Sequence, residues 1–226
     1  MLLSRAGWPG GVVILFITIL ATGIPAESKT PAKSPSAESS APAKKWADVK
    51  GFRSARFGMS EKSVLKTITK DFKVPKSKVK RNVHPTEKTV SLEIEVQEVL
   101  PEGGKAVVGY VFGYKSKKLI QVNVVWGKPV EPKPDARKVV DAANRLRGYF
   151  IKKKYQEDGY VTNAKVDDDQ IIVFRGKDQK GRMILMILTD PESNNKKKFF
   201  RDISLRLSYM LNPNSPDIRA IKEGDF

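Results

Sequence analysis

The chain has 226 residues, of which 42 are lysine or arginine and 25 are aspartate or glutamate, a formal charge of +17. It has no cysteine and one histidine, which excludes disulfides, thiolate nucleophiles, cysteine-ligated zinc or iron–sulfur centres and a His-rich metal site. An excess of positive charge on this scale draws anionic surfaces: lipid headgroups, acidic polymers, nucleic acid or an acidic partner.

Residues 1–26 read as an export signal, with Arg5 as the positive start and Val12–Leu20 as an unbroken apolar core. Cleavage is expected after Gly23 or Ala26. The alternative is a signal anchor in which residues 6–25 stay in the inner membrane. Without cysteine there is no lipobox. The chain is thus expected in the periplasm or secreted, which argues against nucleic acid as its partner. Residues 27–45 (ESKTPAKSPSAESSAPAKK) are a Pro/Ala/Ser/Lys linker with almost nothing to bury, and such composition stays extended.

The first structural signal is a helix from Ser60 to Phe72. Ser60 is an N-cap, Glu61 faces the positive end of the helix dipole, and Met59 and Val64 form a hydrophobic staple. Val64, Leu65, Ile68 and Phe72 share its apolar face. A basic connector follows at residues 73–81, broken by Pro75, and His84 and Pro85 continue the loop. Val90, Leu92, Ile94 and Val96 alternate with Ser91, Glu93 and Glu95, which predicts a half-buried antiparallel strand with a polar outer face. Further strands are expected over 106–114 and 119–126.

The joint at 127–134 leads to a second helix, capped by Asp135 and running to about Tyr155, with Val139, Ala143, Leu146 and Phe150 as its stripe. Three strands then follow, over 171–175, 182–189 and 199–210. The expectation is an α+β fold built from tandem helix-strand-strand-strand halves, 46–130 and 131–226, with the helices packed on antiparallel sheet. Whether the halves share one sheet is left open.

No constellation of catalytic residues stands out, and neither a cofactor nor a metal site is expected. His84 lies in a polar loop without a nucleophile elbow and reads as a solvated histidine. The acidic run Asp167–Asp169 lacks EF-hand spacing and reads as a turn. Glu93 and Glu95 share a strand face with no opposing acid.

Candidate binding residues are the basic runs at turns and helix ends, above all Lys152, Lys153 and Lys154, and Lys196, Lys197 and Lys198. Arg53 and Arg56 precede the first helix. Tyr110, Phe112 and Tyr114 alternate along one strand, a pattern of core or of a binding face. The expected function is a non-enzymatic periplasmic module that binds an envelope protein or an anionic lipid or polysaccharide, with membrane contact if the signal stays uncleaved. The alternative is an envelope hydrolase using carboxylates at 167–169 or at Glu93 and Glu95.

The Phe57-Gly58-Met59-Ser60 opening, followed by an amphipathic helix and Val/Ile-rich strands, resembles the helix-then-antiparallel-sheet modules of the BamE (SmpA/OmlA)-like and beta-lactamase-inhibitor-like group. The C-terminal Asn214-Ser215-Pro216-Asp217-Ile218 and Gly224-Asp225-Phe226 are similar to exported proteins of alphaproteobacterial type. The resemblance implies a binding or scaffold module and assigns no catalytic residue.

Overall fold

A computed structural model describes residues 44–167, 169–189 and 202–220. The export segment, most of the linker, Asp168, Lys196–Lys198 and the final 221–226 lie outside the described residues. A short hairpin, β1 (Gly51–Phe52) with β2 (Ala55–Arg56), precedes α1 (Glu61–Phe72). Gly51 makes that hairpin possible: its φ is 137°, and a Cβ there would lie 2.2 Å from the Ala55 carbonyl oxygen. Ser60 caps α1 by accepting from the Ser63 N–H at 3.3 Å.

Eight strands follow the helices in two groups of four. The first group is β3 (Lys80–Val83), β4 (Val90–Val96), β5 (Ala106–Phe112) and β6 (Leu119–Gly127). α2 (Ala136–Phe150) then leads to β7 (Val161–Lys165), β8 (Gln170–Lys177), β9 (Met183–Thr189) and β10 (Ser204–Met210). Asp135 caps α2 by accepting from the N–H groups of Arg137 and Lys138.

All eight strands form one antiparallel sheet in the order β3-β4-β5-β6-β10-β9-β8-β7. The two groups are consecutive meanders that meet at their last strands, where Leu207 faces Val124. The fold is α+β, and the tandem order resolves into a single continuous sheet. Two edge strands were not anticipated. All of β3 is exposed, so it lacks the alternation that marks a half-buried strand, and its Lys80 and Arg81 suit an unpaired edge. β7 is interrupted by Asn163, whose φ of 52° drops it out of the ladder with β8.

One face of the sheet carries the main core. Leu92 and Ile94, Val108 and Tyr110, Val122 and Val124, Leu205 and Leu207, and Met186 pack with Val64 and Ile68 of α1 and Val139, Ala143 and Phe150 of α2. Burying this much apolar surface is the dominant favourable term in the fold. The aromatic members Trp126, Tyr110, Phe112 and Phe174 are among the largest fully buried side chains.

The other face differs. Ile172, Met183, Leu185 and Ile187 cluster under the second meander, and the side chains of that cluster all come from strands. Under the first meander the same face is buried but mixed, with Val107, Val111 and Val125 beside polar groups. Ser91 donates to Glu93 Oε1 at 3.1 Å, while Gln121 Nε2 and Ser208 Oγ both donate to Asn123 Oδ1, at 2.8 and 2.7 Å. The polar outer face expected for Ser91 and Glu93 is therefore corrected: both are buried, and Glu95 alone of the three is outside. Hydrogen bonding reduces the cost of burying these groups.

Candidate functional site

α2 ends at Phe150, one turn of chain follows, and the backbone of Lys154 then joins the entering chain. Lys154 N–H donates to the Lys45 carbonyl at 3.0 Å and Ala47 N–H donates to the Lys154 carbonyl at 2.9 Å, a parallel bridge between Trp46 and Lys154. The ammonium of Lys154 sits 4.7 Å from the Trp46 ring centre, within cation–π range. Lys44, Lys45 and Lys152 are exposed on the same two segments.

A buried anchor holds this junction in place. Asp178, 1% exposed, accepts from the Val49 N–H at 2.9 Å, from the Lys180 and Arg182 N–H groups, and from Arg182 Nε at 2.8 Å. Arg182 also reaches Asp48, which pairs with Lys50 at 2.6 Å. Lys50 above all, with Arg182, holds the Asp48 carboxyl below its usual range. One carboxylate with four donors ties the entry segment to the β8–β9 turn, and charge-assisted bonds of this kind are the strong ones.

Beside the junction lies an aromatic cluster. Phe150 stacks on Phe174 at 5.2 Å, and Tyr155 meets Phe174 edge-on at 5.2 Å. Tyr160 stacks on Tyr155 at 6.1 Å, and Tyr149 meets Phe150 edge-on at 5.4 Å. Burial, and then the neighbouring Tyr149 and Tyr160, push the Tyr155 hydroxyl far above its ordinary value. The inner rings are buried, but Tyr149 is 61% exposed, Tyr160 40% and Trp46 36%. These outer rings lie with the lysines around the end of α2. Tyr149 follows Leu146 and precedes Phe150 but stands off the apolar stripe. An outward aromatic on an otherwise polar helix face was the available signal for it.

The remaining candidates fall elsewhere. Arg53 donates to the carbonyls of Asp71 and Val99 and covers the Phe72 ring at 4.5 Å, and Arg56 donates to the carbonyls of Arg53 and Ala55. Arg56 is thus engaged on the backbone of the β1–β2 hairpin, and Arg53 on the backbone at the end of α1 and at Val99. Tyr110 and Phe112 are wholly buried, so a binding face through 110–114 is corrected to core. Tyr114, half-buried in the next turn, has the Lys117 ammonium 5.0 Å from its ring.

The 113–118 turn receives the C-terminal segment. Lys115 and Ser116 N–H groups donate to the Asp217 carboxylate at 2.9 and 2.8 Å. Gly113 is needed there, since a Cβ would lie 2.2 Å from Asp217 Oδ2. Burial raises the Asp217 carboxyl, and the hydrogen bonds from Ser116 and Lys115 outweigh it, leaving it below its usual range.

His84 is half-buried rather than solvated: its Nδ1 accepts from the Glu87 N–H at 3.1 Å. Glu95 pairs with Lys105 at 2.9 Å and Lys80 at 3.3 Å, and Lys105 first, then Lys80, hold it below its usual range. Asp167 accepts from the Asp169 N–H, as in an ordinary turn. Among the described residues no three His, Asp or Glu side chains gather as a metal site, and no helix is long and apolar enough to cross a membrane. No family model matches the chain, and no curated protein or solved structure matches it.

Proposed function

We propose that this chain is a non-enzymatic binding module of the bacterial cell envelope, exported to the periplasm, which holds an anionic component or a protein through the basic, aromatic end of α2. The observation that carries this reading is the Trp46–Lys154 junction, which brings Lys44 and Lys45 beside Lys152–Lys154 with rings exposed among them. Clustered cations raise the local concentration of anions, and exposed rings add contact area that a solvated lysine surface lacks. The helix-before-sheet order and the Phe57–Ser60 opening, which resemble BamE-like modules, agree with a binding role.

Two of the carboxylates named for the hydrolase alternative are engaged within the fold. Glu93 is hydrogen-bonded inside the sheet face and Glu95 is paired with two lysines. The test is retention of envelope components by the immobilised chain at low and high salt. The reading expects components that are retained at low salt and released as salt rises. Retention of nothing at any salt contradicts it.

A further inference from the structure

The geometry points to an anionic lipid bilayer surface as the ligand of the patch formed by Trp46, Tyr149, Tyr160 and Lys152–Lys154; this inference rests on the binding role proposed above. Three observations converge on it. The first is chemical pairing. Exposed Trp and Tyr rings beside lysines suit the headgroup region of a bilayer, where the ring enters a partly apolar layer while the ammonium meets phosphate. A hydrated polyanion matches the lysines equally well but has no apolar layer for rings that are 61%, 40% and 36% exposed to enter.

The second is charge complementarity. Lys44, Lys45, Lys152, Lys153 and Lys154 share this end with Glu157 and Asp158, and Asp158 is paired with Lys177 at 2.9 Å. Lysines near an anionic leaflet each strengthen binding by several-fold. The third is the direction from which the chain arrives. The first 43 residues join the described unit at Lys44, inside the patch, and they carry the apolar run Val12–Leu20. In the signal-anchor alternative that run stays in the inner membrane, and the linker then holds the patch close to the same bilayer at high effective concentration.

The patch is held by the fold, not by chance rotamers. Lys154 is fixed by its two backbone hydrogen bonds to residues 45 and 47, Tyr160 by stacking on buried Tyr155, and residues 48–49 by the Asp178 anchor. The backbone beneath the patch is thus set before contact, which favours binding.

The test uses the full chain with two vesicle compositions, phosphatidylcholine alone and phosphatidylcholine with phosphatidylglycerol. Binding to the neutral vesicles reads the N-terminal stretch, and the gain on adding phosphatidylglycerol reads the patch. The Lys152→Glu/Lys153→Glu double variant is expected to lose about tenfold or more of that gain at low salt, with neutral-vesicle binding unchanged. Lys115→Glu/Lys117→Glu makes the same charge change at the 113–118 turn and is expected to keep most of the gain. Thermal midpoints of both variants close to wild type show that the fold is kept. Equal losses in the two variants would overturn the inference in favour of overall charge. Wild-type binding with no gain from phosphatidylglycerol would overturn it as well. If the chain retains an envelope protein through Lys152 and Lys153 while showing no lipid gain, the bilayer assignment fails and the binding role stands.

Discussion

Within one aromatic cluster the inner and outer rings do different work. Phe150, Phe174 and Tyr155 are closed in by α2 and the β8–β10 strands, whereas Tyr149, Tyr160 and Trp46 stand open beside lysines. Ring contacts run from the inner set to the outer one, through Tyr149 on Phe150 and Tyr160 on Tyr155. The contrast teaches that a buried cluster can serve as a rigid mount. Stability resides in the buried rings, Tyr149 and Tyr160 inherit their positions from them, and Trp46 is placed by its backbone bridge to Lys154.

The largest effect is expected inside. Phe174→Ala removes a fully buried ring touching Phe150, Tyr155 and Tyr160, and is expected to destabilise by about 3–5 kcal/mol. Denaturant unfolding checks this, and a cost below about 1 kcal/mol would break the division between inner and outer rings. Asp178→Ala comes next, at about 2–3 kcal/mol, because the Val49 N–H and the Arg182 guanidinium lose their buried acceptor. Hydrogen exchange should also show residues 45–49 opening faster in that variant. Outside, Tyr149→Ser should change stability by less than about 0.5 kcal/mol while weakening binding to anionic vesicles.

Smaller still are two titration effects. Lys50 and Arg182 depress the folded value of Asp48, so the stability it contributes is present above its unfolded value. It is lost as pH falls through the lower folded value. The acid limb of the stability curve, below about pH 4, should therefore be shallower in Asp48→Asn. Glu87 behaves oppositely. Burial raises it, with His84 opposing, so its ionised form is disfavoured by folding and its contribution weakens as pH rises through the raised value. Glu87→Gln should be neutral or slightly stabilising at pH 7, and a clear destabilisation there would contradict the burial argument.

Both helices were legible from their caps: Ser60 and Asp135 sit one residue before the helices they start, and each accepts from the backbone as its residue type suggests. Alternation located β4, β6 and β10. It failed where its physical basis was missing. β3 is an edge strand exposed on both faces, and Asn163 breaks the period of β7. It also misled at Ser91 and Glu93, because a polar side chain with a hydrogen-bond partner can be buried without changing the pattern. The basic end was half legible. The Lys152–Lys154 run was visible in the chain, but its partner segment lies about a hundred residues away, and only the bridge to Trp46 joins them. Tyr110 and Phe112 could not be told from a binding face by spacing, since core and surface strands share a period of two.

Contact of the outer rings with lipid is tested directly by quenching of tryptophan fluorescence with brominated lipids. In vesicles containing phosphatidylglycerol, quenching is expected to exceed that in neutral vesicles, and Trp46→Phe is expected to abolish the excess. Both chains carry Trp8→Phe, so that the export segment adds no signal, and Trp126 contributes nothing to the excess, being buried in the core. An excess that persists undiminished in Trp46→Phe, or no excess in the wild-type chain, would contradict the account.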